Sequence, residues 1–206
     1  MLGVPDDRAN RPLPAVKTRA GALAPKLDEQ TLVERTALGD RAAFEELYRR
    51  YFPRLTRFVE RMVRRPQVVG EVVNDTMLVV WRKADTYNGQ SKVSTWIFSV
   101  AYRTALRALG QQREPVEWEP PEVAAPSEAE PENSLSQQQD RRILDEALLH
   151  LTAEHRAVIE LTYRHDCACR EIAQIVGCPV DTVKTRLFYA RRRLKLILAQ
   201  RLGDLR

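Results

Sequence analysis

Residues 170–193 read REIAQIVGCPVDTVKTRLFYARRR, and this stretch decides how the C-terminal part of the chain folds. Apolar residues before Gly177 lie on one face of a short helix, and glycine ends that helix because it adopts a left-handed backbone without strain. Pro179 then presets the backbone of a new helix, and Asp181 places a carboxylate at its positive end. The sequence therefore predicts a helix, a tight turn and a second helix.

The second helix of this motif has two faces. Its apolar residues recur at steps of three and four and predict one buried stripe: Val183, Leu187, Ala190, Leu194 and Ile197. The polar residues of its N-terminal half are Asp181, Thr182, Lys184, Thr185, Arg186 and Tyr189. Such a helix suits the DNA major groove, where arginine and lysine contact guanine edges or phosphates and threonine holds the backbone. We predict that this set binds duplex DNA; the alternative is a basic surface helix with no DNA role.

Charge is distributed unevenly along the chain. The whole chain has 33 Lys and Arg against 28 Asp and Glu, a net charge of +5 that many proteins share. From Lys184 to Arg206, however, eight basic residues stand against the single acid Asp204. This end of the chain is predicted to meet an anion.

Two segments are predicted to lack a folded core. Residues 1–27 contain four prolines and no apolar period, which indicates a flexible tail. Residues 114–140 are rich in proline and acids and cannot bury enough apolar surface to offset the entropy of ordering. We interpret the second segment as a flexible acidic linker; alternatively, it mimics nucleic acid and occupies a basic channel.

The remaining segments predict an all-α protein of two small helical domains, residues 28–113 and 141–206. In the first domain a helical period from Leu32 to Met62 contains Pro53, which should kink or restart the helix. A second helix is predicted over about 68–84, the Asn-Gly pair in 86–92 predicts a turn, and a third helix starts at Ser94 or Thr95 as its N-cap.

Both domains resemble parts of one family. Residues 141–198, with LTAEHRAVIELTY, EIAQIVG and TVKTRLFYARRRLK in order, resemble region 4 of sigma factors. Residues 28–113 resemble region 2, and the pair resembles a sigma-70 family RNA polymerase sigma factor of the extracytoplasmic-function (ECF) type, over about two thirds of the chain. The chain departs from the family at Pro179, where a capping serine is frequent, and at residues 67–71, which read QVVGE.

The resemblance implies a transcription initiation factor with core RNA polymerase, promoter DNA and an anti-sigma factor as partners. The residues implied to face polymerase are Glu71, Asn74, Asp75, Leu78 and Trp81. Those implied to read the minus-10 element are Tyr87, Asn88, Ser91, Lys92, Thr95, Trp96 and Arg103, while the basic helix would read the minus-35 element. A tyrosine plane, an amide and a lysine suit an unstacked base and its phosphate. Core packing is the alternative for Trp81 and Trp96.

Three cysteines and one histidine raise a different hypothesis. A zinc site or a redox switch could be formed by His165, Cys167 and Cys169, with Cys178. Their alternate spacing is poor for a zinc knuckle. Because of this spacing we expect no bound metal. We also expect no cofactor and no enzymatic activity. The odd number of cysteines and the lack of a long apolar run favour a cytoplasmic protein without membrane insertion. A second alternative is a two-domain helix-turn-helix regulator that binds an operator without polymerase.

Overall fold

The computed structural model describes residues 27–110 and 143–203, which contain helices and no strand. The predicted N-terminal tail, the acidic linker and the last three residues lie outside this described part. The helices of the first domain are α1 (Glu29–Ala37), α2 (Arg41–Val63), α3 (Pro66–Lys83) and α4 (Val93–Gly110), with a 3₁₀ turn at Ala84–Thr86. Those of the second are α5 (143–149), α6 (Ala153–Tyr163), α7 (Cys169–Val176) and α8 (Val180–Gly203). The all-α prediction is confirmed.

Local chemistry explains where the helices of the first domain begin. Asp28 accepts the backbone N–H of Thr31 at 2.9 Å, and Asp40 accepts that of Ala42 at 2.9 Å, so each carboxylate caps a helix. Pro66 occupies the first turn of α3, where no N–H is needed. The two carboxylates and the proline thus account for where α1, α2 and α3 begin.

Two expected helix boundaries are not found. Of the kink or restart predicted at Pro53, the restart is wrong, since α2 continues through Pro53 from Arg41 to Val63. Tyr51 and Leu55 are fully buried on either side, and their packing outweighs the hydrogen bond that proline cannot donate. The third predicted helix begins at Val93, so Thr95 is an internal residue rather than an N-cap.

The second domain contains the predicted helix-turn-helix. Gly177 has a φ of 68°, and its N–H donates to the Ala173 carbonyl at 2.9 Å, which closes the left-handed turn after α7. On α8 the predicted apolar stripe is confirmed: Val183, Leu187, Ala190 and Leu194 are buried, and Ile197 is half-buried. Its other faces carry mostly polar and basic side chains, together with the exposed Phe188 and Leu196.

The two domains pack against each other. α4 lies along α7 and α2 contacts α6, so buried side chains of both domains form one continuous core. Nothing in the sequence patterns predicted this contact. Within the described residues, no helix is both long enough and apolar enough to cross a membrane.

Candidate nucleic-acid interface

The N-terminal half of α8 presents most of the predicted duplex-binding residues to solvent. Lys184 and Thr185 are exposed, Thr182 is half-buried, and Tyr189 is 52% exposed. The Lys184 ammonium lies 3.0 Å from the Asp181 carboxylate, and the Thr185 hydroxyl donates to the Asp181 carbonyl at 2.9 Å. This surface has the donors needed for phosphates and base edges.

Arg186 differs from its neighbours because it is half-buried and faces the first domain. Its guanidinium lies 4.0 Å from the Cys178 sulfur. It also lies beside the Tyr102 phenol of α4: burial raises the pKa of Tyr102, and Arg186 opposes that rise. The pKa of Glu154 is lowered, mainly because the Glu154 carboxylate accepts a hydrogen bond from the backbone N–H of the same residue. The charge of Arg186 also contributes to this lowering.

The predicted minus-10 loop is held by bonds within itself. The Tyr87 hydroxyl donates to the Ser91 carbonyl at 2.6 Å, and its ring lies 5.5 Å from that of Trp96. The Asn88 side-chain oxygen accepts the N–H of Gln90 at 3.1 Å, and Gly89 follows with a φ of 73°. These bonds order the turn, and Asn88 is exposed at its tip.

A surface cavity of about 500 Å³ adjoins this loop. Tyr87, Asn88 and Gly89 form one side of it, and Gln30 and Glu34 of α1 lie on the other. Sequence reasoning missed the α1 residues, because their helical period signals only packing. The cavity places polar groups beside the exposed Asn88.

Two of the residues predicted to contact a partner are buried. Thr95, predicted to bind DNA, is 4% exposed inside α4, and Trp81, predicted to bind polymerase, is 5% exposed and packs 5.0 Å from Phe44. Their side chains belong to the core in this structure, which is the alternative given above for Trp81. Trp96 is half-buried against Tyr87, and Arg103 is exposed on α4, where it donates to Ser99 at 3.2 Å.

The predicted polymerase face lies mainly on α3. Glu71, Asp75 and Leu78 line a groove of about 330 Å³ together with Arg107 of α4. Asn74 is also exposed, but its side-chain oxygen accepts a hydrogen bond from the Tyr48 hydroxyl at 2.9 Å. The structure thus brings three of the five predicted residues together on one groove.

Lys92, at the end of the predicted minus-10 loop, forms an ion pair with the second domain. Its ammonium lies 2.6 Å from the Glu171 carboxylate of α7. This contact raises the pKa of Lys92 and is the main cause of the lowered pKa of Glu171. The sequence did not reveal this role of Glu171, because an acid in the first turn of a helix is explained by the helix itself.

The residues of the zinc hypothesis are separated by packing. His165 lies between Phe58 and Phe98, with ring centroids 6.0 and 4.6 Å away. The Cys167 thiol points to the His165 carbonyl at 3.5 Å, and burial raises its pKa. In the described part of the chain, no three His, Cys, Asp or Glu residues are grouped as a metal site would require.

Burial of His165 has a consequence for stability. Burial, followed by the charges of Arg54, Arg164 and Arg57, lowers the pKa of His165 to about 4, while Asp166 opposes this. The folded chain therefore binds fewer protons than the unfolded chain between about pH 6.5 and pH 4. The contribution of His165 is fully present above this window and is lost as the pH falls through it.

Urea unfolding at pH 7.5, 6 and 5 measures this effect in the wild type and in His165→Gln. The wild type is expected to lose stability more steeply toward pH 5, with an added slope below the limit of about 1.4 kcal/mol per pH unit for one proton. His150→Gln, at an exposed position, should keep the wild-type slope. Parallel profiles for wild type and His165→Gln would contradict this assignment.

Family models match both domains. The model of sigma-70 region 2 matches residues 47–114, and that of sigma-70 region 4 matches residues 141–194. The ECF RNA polymerase sigma factor RpoE of Cereibacter sphaeroides is 31% identical over 159 residues, which are 76% of this chain and 86% of the relative. The ECF RNA polymerase sigma-E factor of Escherichia coli (strain K12) is 30% identical over 182 residues, 84% of this chain and 95% of the relative.

Solved structures agree with these matches. The sigma factor RpoE in complex with the anti-sigma factor NepR from Bartonella quintana has a TM-score of 0.60 and 25% identity, over 76% of this chain and 96% of that chain. CnrH in complex with the cytosolic domain of CnrY has a TM-score of 0.63 and 22% identity, over 84% and 97%, and shows the same fold.

A region 2 domain and a helix-turn-helix region 4 domain in one chain define an RNA polymerase specificity factor. The chain belongs to the sigma-70 family of RNA polymerase sigma factors, in its ECF group. Its function is that of an initiation factor that directs RNA polymerase to promoters. The alternative of an operator-binding regulator without polymerase is not favoured.

Proposed function

We propose that the two domains of this chain divide promoter recognition between them. α3 docks on core RNA polymerase, the loop at 87–92 with α4 reads and opens the minus-10 element, and α8 reads the minus-35 element. The observation that carries this division is the polar N-terminal face of α8, opposite its buried stripe, in a chain that also contains a region 2 domain.

The minus-35 contact is supported by the geometry of α8. Its buried stripe fixes the helix on the second domain, so Lys184, Thr185 and Tyr189 project outward from the same end. Lysine and threonine there position the duplex through its phosphates. Arg186 has the fork of donors that matches a guanine edge once it leaves the first domain.

The minus-10 contact is supported by the loop that precedes α4. Asn88 is exposed at a tip that its own side chain helps to order, beside a cavity bordered by α1. An amide in a preformed turn can hydrogen-bond to the edge of a base that has left the stack. Lys92 and Arg103, both exposed, supply charge for the adjacent phosphates.

The polymerase contact is supported by the groove on α3. Glu71 and Asp75 supply negative charge at an exposed surface that the second domain does not cover. Leu78 adds apolar area between them and α4. Arg82 and Arg107 also line the groove, so it offers both charges and apolar area to a large partner.

We further propose that an anti-sigma protein restrains this factor in the cytoplasm. The RpoE structure from Bartonella quintana was solved with the anti-sigma factor NepR, and its fold matches most of this chain. On this proposal the chain acts through binding alone and catalyses no reaction.

Reconstitution with core RNA polymerase tests the proposed function. Core enzyme plus this chain is expected to initiate specific transcripts on genomic DNA at promoters that core enzyme alone ignores. Run-off transcripts mapped at their 5′ ends measure this, with core alone and the chain alone as controls. Absence of specific transcripts on all genomic promoters, together with tight binding of the chain alone to a palindrome, would replace this function with that of a regulator.

A further inference from the structure

A surface cleft of about 370 Å³ lies beside the loop that follows α6. The side chains that line it are all ones that carry or can carry a charge: Arg54, Arg57, Glu160, Arg164, His165 and Asp166. Its volume is several times the roughly 30 Å³ that one water molecule occupies in the liquid. The cleft therefore has room for a small polar ligand, and none of the residues assigned above to DNA or polymerase lines it.

Positive charge in this cleft is only partly compensated. In the described part of the chain, neither Arg54 nor Arg57 forms an ion pair. The Arg164 guanidinium is 3.6 Å from Glu160 and 3.9 Å from Asp145. Like charges that share a cleft repel one another, and an anion bound between them removes this repulsion. The three guanidinium groups thus favour an anionic ligand.

Arg54 is held in place by aromatic rings. The central carbon of its guanidinium lies 5.2 Å from the centre of the Tyr51 ring and 5.4 Å from that of the Phe98 ring. A guanidinium that stacks on a ring keeps its N–H donors at the edge of its own plane, where another partner can accept from them. Arg57 lies one turn further along α2 and therefore on the same side of this helix. Two sets of donors are thus ordered along one wall of the cleft.

Glu160 supplies a hydrogen-bond acceptor. The residue is 1% exposed, and its Oε1 atom is 3.3 Å from the Arg61 guanidinium. Its Oε2 atom is buried and accepts no hydrogen bond from the described residues, since the Arg164 Nε at 3.6 Å is too far away. A buried oxygen without a donor costs free energy, and a hydroxyl of a ligand in the cleft would remove that cost.

This combination of groups fits one kind of anion better than others. Monohydrogen phosphate keeps a P–O–H group at neutral pH, so it can donate to a carboxylate while its other oxygens accept from arginines. Sulfate is fully ionised and would place an unprotonated oxygen against the Glu160 carboxylate, where like charges repel. The guanidinium fork also matches the geometry of phosphate oxygens.

We infer that this cleft is a binding site for a phosphate-bearing small molecule, which Arg54, Arg57 and Arg164 hold and which donates a hydroxyl to Glu160. Two sources share this chemistry. They are inorganic phosphate, whose own P–O–H is the donor, and a phosphate monoester with a hydroxyl on a neighbouring carbon. The inference goes beyond the proposed function and does not rest on it, because the cleft residues are separate from those assigned to DNA and polymerase.

Titration of the full chain with inorganic phosphate tests this inference. Isothermal titration calorimetry at neutral pH and constant ionic strength, in a buffer without phosphate, is expected to show saturable binding. Sulfate is expected to bind about tenfold more weakly, because it lacks the hydrogen that Glu160 accepts. Absence of saturable phosphate binding, or equal affinity for phosphate and sulfate, would overturn the inference.

Glycerol 3-phosphate separates the two sources. Tighter binding than that of inorganic phosphate would assign the cleft to a monoester, and weaker binding would assign it to the free ion. Amide chemical shifts of the ¹⁵N-labelled full chain locate the ligand during the same titrations. The changes should lie in the loop at 164–166, whereas changes along α8 alone would show an anion attracted by the basic helix and would overturn the site.

Substitution of Arg57 tests the donors of the cleft. Arg57 is exposed, and Arg57→Gln should weaken phosphate binding about tenfold, the effect of one hydrogen bond to a charged group. Arg57→Lys should restore only part of this loss, because an ammonium lacks the guanidinium fork. Arg41→Gln is the matched control, since it removes one arginine from an exposed position at the start of α2 and outside the cleft. Equal weakening by Arg41→Gln would assign binding to net charge and overturn the site.

Substitution of Glu160 tests the recognition of the hydroxyl. Glu160→Gln should narrow the preference for phosphate over sulfate, because an amide has no negative charge and can donate to a sulfate oxygen. An unchanged preference in the folded variant would overturn the role of Glu160. If the loss of the partner of Arg61 prevents this variant from folding, the preference of the wild type and the Arg57 variants decide the matter.

Discussion

Replacing Arg186 with alanine is expected to reduce the preference of holoenzyme for its own minus-35 element over a scrambled one by about 5- to 150-fold, the effect of about 1–3 kcal/mol. Arg186 is the residue of α8 whose planar donors match a base edge, and alanine at this position leaves that edge without a partner. Holoenzyme is the proper form for this test, because Arg186 also contacts Tyr102 of the first domain in the chain without DNA.

Competition binding of holoenzyme to the two promoters measures the preference. Arg192→Ala is the matched control, since it removes the same charge from an exposed position farther along α8. It is expected to weaken binding to both promoters equally and to lower the salt dependence. If Arg186→Ala also weakened both promoters equally, Arg186 would be a phosphate contact rather than a reader of sequence.

Replacing Asn88 is expected to slow promoter opening by about 5- to 150-fold, with duplex binding retained, because about 1–3 kcal/mol of contact with an unstacked base is lost. Two substitutions separate this role from that of the turn. Asn88→Ala removes both the acceptor for the Gln90 N–H and the amide donor, whereas Asn88→Asp keeps the acceptor.

Permanganate footprinting of unpaired thymines in the minus-10 element measures opening, and a filter or mobility-shift assay measures closed-complex binding. Both Asn88 variants should open slowly. If Asn88→Asp opened the promoter at the wild-type rate, only the turn and not the amide would matter. If an Asn88 variant lost as much closed-complex binding as Arg186→Ala, the proposed division of promoter recognition between the two domains would be wrong. Gln90→Ala, which keeps the backbone N–H that Asn88 accepts, is the control for a neighbouring loop residue.

Most of the local structure was predictable from the sequence, because it depends on neighbours along the chain. The turn at Gly177 and the apolar stripe from Val183 to Leu194 follow from backbone freedom and helical period, and both were found where predicted. The helix does not restart at Pro53, since the local preference of proline is outweighed by the buried packing of Tyr51 and Leu55. Thr95 and Trp81 were assigned to partners by resemblance, and only the structure shows that both side chains are buried.

The sequence by itself determined the two helical domains, the basic face of α8 and membership of a family. Period, turn chemistry and charge are properties of adjacent residues and are readable without coordinates. Only the tertiary structure decided that Lys92 meets Glu171, that Arg156 bonds the end of α2, and that His165 lies between two phenylalanines. Those contacts join residues 67 or more positions apart, and their formation depends on how whole helical surfaces fit rather than on any local pattern.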